Sequence, residues 1–362
     1  MDGIAAAVEI IAPLAARIEA ERRLPEEAVR ALVAAGAFKM LVPRALGGGE
    51  VAPREALQAI ETVARADGSA GWCVMISATT GIVAALLPEE TARAIFAPDD
   101  AIACGVFAPT GRAVREGASL RVSGRWAFGS HCENSGWRMG GVMIDGEPPQ
   151  AVLLRADETR VIDTWHTSGL RGTGSHDFEA KDVLVPAERL FSLVASKPWP
   201  SGALYRFPIF GLLASGIAAV AIGIAQGALD SVLDLARAKH ALGAKRSIAH
   251  REIVQLAVAT AAAKIRAARA LLHDAVGEVE RDVTLESRAE LRAAASQAVE
   301  LAASAVDLAY DAGGGTSIYE TSPLQRCFRD VHTLTQHVMV AKTSTILAGR
   351  VMLGVESDTA LL

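Results

Sequence analysis

The chain has 362 residues, 51% of them apolar and 21% charged, with a formal net charge of −5. That length and apolar content support a large core spread over two or three domains, and the slightly acidic balance argues against nucleic acid or an anionic membrane surface as partner. Cys73, Cys104, Cys132 and Cys327 lie far apart with no CxxC pair, so no disulfide framework and no metal site is expected, and a reducing, cytoplasmic location fits.

The N-terminal "MDGIAAAVEIIAPLAARIEAERR" places acids early and carries helical periodicity without the basic n-region of a secretory signal. Residues 1–100 read as a helical domain with clear punctuation. Pro25 is expected in a first turn, Glu26 and Glu27 complement the helix dipole, and Gly36 is a stop; Pro88 repeats the start signal. Over 101–200 the period changes to two. Leu120, Val122, Trp126 and Phe128 alternate with Arg121, Ser123, Arg125 and Ala127, the pattern of half-buried strands, and dense Gly and Pro suggest a small antiparallel β-barrel.

From 201 to 362 long Ala-rich stretches predict helices over 208–240, 249–280, 285–311 and 323–353, a four-helix bundle. Phe207 to Leu229 is uncharged and long enough to span a bilayer. Its small residues and lack of interfacial anchors favour a helix buried between neighbours. For the last helix, Ser322 is the expected cap, Pro323 the first residue and Gln325 the partner in a capping box.

No GxGxxG, GxxxxGK[ST], GxSxG or HExxH motif occurs, which leaves nucleotide-loop, serine-hydrolase and zinc-protease chemistry without a basis. "GLRGTGS" at 169–175 reads as a turn between strands. In "RDVHTLTQHV" (329–338), His332 and His337 sit five apart. On a continuous helix they point roughly 140° away from each other and cannot share a metal. The apolar stripe through Val331, Leu334, Val338 and Ala341 puts His337 at its edge, either lining a pocket or satisfied in the interior, with His332 facing elsewhere.

Five segments carry a resemblance over nearly the whole chain: "DGSAGWCVMISATTG" (67–81), "CGVFAPTGRA" (104–113), "VSGRWAFGSHCENSGW" (122–137), "DTWHTSGLRGTGSHDFEAKDVLVP" (163–186) and "SPLQRCFRDVHTLTQHVMVA" (322–341). The chain resembles the acyl-CoA dehydrogenase superfamily, in its branch of two-component flavin-dependent monooxygenases. The fold so implied is mainly α with a central β-barrel: a helical domain, the barrel and a four-helix bundle, usually a homotetramer. Many dehydrogenases of this family place a glutamate base where this chain has Val338, or one on the first bundle helix, which here is uncharged from Phe207 to Leu229; Asp230, Asp234 and Glu320 are the nearest acids. The oxygenase branch carries a histidine at His337, which makes it the implied catalytic side chain, with His332 supporting the helix.

The implied reaction takes reduced FAD or FMN from a separate reductase, adds dioxygen to give a C4a-hydroperoxide, and transfers one oxygen atom to a small, aromatic-type substrate. His337 would exchange a proton near neutrality. Ser130, by its hydroxyl or its backbone N–H, would hydrogen-bond the flavin near N5 or the peroxide as a catalytic side chain, or else be an ordinary strand serine; Trp126 would cover a ring face or fill the barrel core, and Phe107, Pro109 and Thr110 would wall the pyrimidine side. Arg246 matches a position that reaches a flavin phosphate on a neighbouring subunit, and Gly313, Gly314 and Thr316 would let backbone approach that nucleotide. Trp72 and His131 are assigned to the substrate pocket, although His131 and "ENSGW" (133–137) depart from relatives that bind phenols. Two alternatives stay open: an FAD-dependent acyl-CoA dehydrogenase with a relocated base, and a non-catalytic structural member of the family.

Overall fold

The computed structural model describes residues 2–240 and 242–362. Six helices come first: α1 (Asp2–Ile11), α2 (Ala15–Glu21), α3 (Glu26–Ala34), α4 (Pro53–Ala66), α5 (Gly68–Gly81) and α6 (Glu89–Phe96). Pro25 and Pro88 stand just before α3 and α6 as extended caps, one position earlier than expected, and Gly36 takes the left-handed conformation at φ 68°. Asp67 caps α5: its carboxylate accepts the Ala70 N–H at 2.8 Å.

Seven strands follow: β1 (Ala103–Glu116), β2 (Ser119–Gly129), β3 (Trp137–Met143), β4 (Gln150–Arg155), β5 (Arg160–Ile162), β6 (His176–Pro186) and β7 (Leu190–Phe191). They form one sheet in the order β5-β6-β2-β1-β3-β4-β7. The expected closed antiparallel barrel is corrected on two counts. β1 and β3 pair in parallel, and the edges β5 and β7, three and two residues long, do not pair with each other.

Trp126 fills the sheet's core. It is fully buried, its indole N–H donates to Gly141 O at 2.7 Å, and it stacks on Phe178 with centroids 5.1 Å apart. Gly111 and Gly140 make room for it, since a Cβ at either would sit 2.4 Å from the indole. Trp126 is therefore a core residue and does not cover a cofactor ring. Phe128, expected on the same inward face, leaves it: at φ 63° the residue is 72% exposed, beside a register shift between Trp126 and Gly129.

The last layer is helical: α7 (Ile209–Ala238), α8 (Glu252–Arg281), α9 (Leu285–Gly313), α10 (Pro323–Leu334) and α11 (Lys342–Met352). Gly68–Leu86 and Ile209–Ala238 are long and apolar enough to cross a membrane, yet 89% and 83% of their most apolar windows are buried inside the chain. Glycine lets α7 lie this deep: a Cβ on Gly216 would meet Met75 at 2.7 Å, and one on Gly223 would meet Glu61 O at 2.5 Å.

The expected continuous helix 323–353 is broken. α10 ends at Leu334, His337 is extended at φ −72°, ψ 130°, and a short 3₁₀ turn, Val338–Val340, precedes α11. Thr333 and Thr335 donate their hydroxyls to the carbonyls of Arg329 and His332, competing with the helical ladder where it stops. Ser322 caps α10 as expected, accepting from Leu324 N–H, but no capping box forms because the Gln325 amide turns outward to Glu320 O.

Candidate active site

A cavity of about 990 Å³ opens where α5, the β1–β2 region, the loop 163–175, the start of α7 and the broken C-terminal helix meet. Its walls are largely apolar and aromatic, with Trp72, Phe107, Phe128, Trp165, Phe210 and Phe328 among them. Among the described residues no Asp or Glu lines it.

The floor is a run of hydroxyls. The Trp72 indole N–H donates to Ser130 Oγ at 2.9 Å, Ser130 Oγ lies 2.7 Å from Ser175 Oγ, and Ser175 Oγ lies 2.6 Å from Thr173 Oγ1. Thr173 in turn donates to Leu170 O at 2.8 Å. On the side wall, the register of β1 against β3 shifts between Val106 and Gly111, and β1 pairs with β2 only from Arg112 on. Residues 107–110 thus fall in the irregular stretch between the two registers, and Phe107, Ala108 and Thr110 face the cavity. Pro109 is exposed and lies off the wall.

His337 lines the cavity, half-buried, its ring edge-on to Trp72 with centroids 5.6 Å apart. Its Nδ1 accepts the Met339 N–H at 3.2 Å, so the neutral ring carries its proton on Nε2. Burial, aided by the positive Arg292, pushes its pKa down to about 4. That corrects the expectation of a proton exchanger near neutrality. The buried Arg292 also donates to Met339 O at 2.9 Å and to Ser344 Oγ at 2.7 Å, fixing the turn that holds His337. His332, expected to face elsewhere, lines the same cavity and pairs with Asp307 at 2.8 Å. The helix break brings the two histidines to one pocket and voids the 140° separation. Among the described residues no group of His, Cys, Asp and Glu is arranged to hold a metal.

His131 does not belong to the pocket. It is buried at φ 63°, with Nδ1 2.9 Å from Ser77 Oγ and its ring against Phe38, and burial pushes its pKa down to about 3. Arg246 lies exposed in the loop between α7 and α8. Gly313, Gly314 and Thr316 stand at the end of α9, close by, where Lys239 Nζ donates to Gly313 O at 2.8 Å. None of these four lines the cavity.

The sequence reading missed the loop 163–175. "GLRGTGS" is more than a turn: Leu170, Thr173 and Ser175 are cavity wall. The "RD" pair ties it down. Arg329 bonds Ser168 O and Glu19, and Asp330 Oδ1 accepts the Leu170 N–H at 2.6 Å. Burial, together with neighbouring Asp67, raises the Asp330 pKa to about 7.

Family models match both ends of the chain: the acyl-CoA dehydrogenase N-terminal domain over residues 5–92 and the C-terminal domain over 215–342. An indole-3-acetate monooxygenase of Pseudomonas putida is 32% identical, the match covering 92% of this chain and 88% of that protein. The oxygenase component of an FADH(2)-dependent resorcinol hydroxylase from Rhizobium is 31% identical, covering 98% and 93%. This chain belongs to the acyl-CoA dehydrogenase family, among its flavin-dependent monooxygenases. Solved structures agree across the whole chain. The 3-HSA hydroxylase of Rhodococcus superposes with a TM-score of 0.93 at 26% identity, covering 100% of this chain and 98% of that one. XiaF from Streptomyces, in complex with FADH2 and glycerol, superposes at 0.90 with 26% identity, covering 99% and 96%.

The pocket suits the reduced flavin that this family of oxygenases uses. The hydroxyl floor offers polar contacts to a ring heteroatom, and the aromatic walls suit a flat heterocycle.

Proposed function

We propose that this protein is the oxygenase component of a two-component system and inserts one oxygen atom into a small aromatic substrate held beside His337. One observation carries this reading against the dehydrogenase alternative: among the described residues no carboxylate lines the cavity. Val338 stands where a base would be needed, Asp230 is paired with Arg65, and Asp234 with Arg237. A thioester α-proton has no acceptor there.

When bound, reduced flavin supplies the electrons that activate dioxygen. The chain's own part is to orient and to exclude water. Phe107, Phe210 and Trp72 form walls that keep the reaction dry, which strengthens every hydrogen bond inside. His337, neutral at physiological pH, holds a proton at Nε2 as a hydrogen-bond donor toward an oxygen of the substrate or of the reacting oxygen species. With Nδ1 occupied and its basicity depressed by burial, it is a donor rather than a base. A separate reductase would supply the flavin as FADH2 or its FMN counterpart. The likeness to the FADH2-dependent resorcinol hydroxylase supports this arrangement. Four copies would assemble, with Arg246 and the 313–316 turn serving the nucleotide end of a neighbour's flavin. The exposed apolar Ile253 and Leu256 on α8 support an assembly through that face.

The test is anaerobic loading with reduced FAD and an aromatic substrate panel of phenols and indole acids, followed by isotopically labelled dioxygen. Label in an organic product supports the reading. Hydrogen peroxide as the sole product across the panel, with flavin bleached by an acyl-CoA instead, would replace it with the dehydrogenase.

A further inference from the structure

The hydroxyl floor has a direction, which follows from counting protons. Leu170 O can only accept; it also takes the Trp165 indole N–H at 2.9 Å and the Thr173 N–H at 3.2 Å, but its 2.8 Å approach to Thr173 Oγ1 needs a proton between the two oxygens, and only the Thr173 hydroxyl can supply it. The 2.6 Å contact between Thr173 and Ser175 must then be donated by Ser175. Ser175 has no proton left, so the 2.7 Å contact to Ser130 is donated by Ser130. Trp72 Nε1 is a donor only, and its 2.9 Å bond ends on Ser130 Oγ. The run is thus Trp72 N–H to Ser130 O–H to Ser175 O–H to Thr173 O–H to Leu170 O, with every proton committed. Each hydroxyl oxygen keeps a spare lone pair and none keeps a proton. All five residues line the cavity.

We infer that this one-way chain makes the floor an acceptor-only surface, and that Thr173 and Ser175 thereby set the protein's preference for reduced over oxidised flavin. The inference rests on the proposed function and on a flavin whose central nitrogen lies at Ser130, the placement that the family resemblance implies. Reduced isoalloxazine carries an N–H at its central nitrogen, which Ser130 Oγ can accept. The oxidised ring presents a bare nitrogen lone pair there, which meets another lone pair and finds no donor. Hydrogen-bond polarity so distinguishes two ligands of nearly the same shape. Thr173 and Ser175 act through Ser130 and are positioning residues. A protein supplied with flavin by diffusion from a reductase gains from such a filter, because oxidised flavin would otherwise occupy the site.

The experiment measures dissociation constants for oxidised FAD, and anaerobically for reduced FAD, on wild type, Thr173→Val, Ser175→Ala and Thr173→Ser. Valine keeps the shape of Thr173 but removes the terminal donor. Ser175 is then free to turn its proton to Ser130, and Ser130 to turn its own into the cavity. Ser175→Ala frees the Ser130 proton directly. In both variants the ratio of oxidised to reduced dissociation constants should fall at least about fivefold, the range for a mismatched buried hydrogen bond. By linkage the midpoint potential of bound flavin should then fall by roughly 20 mV, at about 30 mV per tenfold for two electrons. Thr173→Ser keeps the donor and should keep the wild-type ratio. General loosening of the site would weaken both redox forms and leave the ratio alone. An unchanged ratio in both folded variants overturns the inference. So does a wild type that binds both forms equally, even if it still oxygenates aromatics, whereas failure to bind reduced flavin at all would sink the functional reading itself.

Discussion

His337 has its tautomer set by one backbone amide and its charge state by burial, and these two constraints make different substitutions unequal. If the ring serves as a donor, His337→Asn should retain part of the product yield, because its amide can both accept from Met339 N–H and donate to the cavity. His337→Ala should lose more, about 5- to 100-fold in yield per flavin oxidised, the cost of one buried hydrogen bond. Equal loss in both would favour a base. The comparison needs only product and peroxide quantified side by side.

Three desolvated groups also give opposing pH dependences. His337 at about 4 and His131 at about 3 are depressed from 6.5. Their folded forms hold fewer protons than the unfolded chain, so their contribution is present above pH 6.5 and lost as pH falls toward 4. Asp330, raised from 3.8 to about 7, does the reverse: its contribution is full below 3.8 and lost as pH rises through 7. In the shared window one acid offsets one histidine. Asp330→Asn keeps an acceptor for Leu170 N–H and removes the offset. Its unfolding free energy should climb with pH more steeply than wild type between about 4 and 6.5, by up to about 1.4 kcal/mol per pH unit. Parallel pH curves from denaturant titration would exclude this.

Among the elements, the sheet is organised around Trp126, and the small residues over its indole are part of that organisation. Gly140→Ala would place a methyl 2.4 Å from the ring, so overpacking should cost about 1–3 kcal/mol and lower the denaturant midpoint. The alternation around Trp126 was readable from period-two patterning. The fate of Phe128 was not, because a register shift and a left-handed residue reverse a face without changing composition. The C-terminal helix teaches the same lesson. Its start was legible in Ser322 and Pro323, which act locally. Its break was not, because it depends on threonine hydroxyls and on the packed turn under Arg292.

For the whole molecule, the proposed assembly predicts a mass of four chains by light scattering. Leu256 is 63% exposed on α8, so Leu256→Glu should shift the population to smaller species while leaving the helical signal of the chain unchanged. A monomeric wild type would remove the assembly, and with it the role given to Arg246.

From its sequence alone this chain could be read as a helical segment, a strand segment and a helical bundle, and its family membership was legible too. Periodicity, caps and short motifs are local, and they survive in one dimension. Tertiary structure decided the rest: an open sheet in place of a barrel, Trp126 and His131 in the core, and His332 beside His337. It also brought the hydroxyls of Ser130, Ser175 and Thr173 together in one floor. Such features arise where residues distant in the chain compete for the same space and the same protons, and no local pattern records who wins.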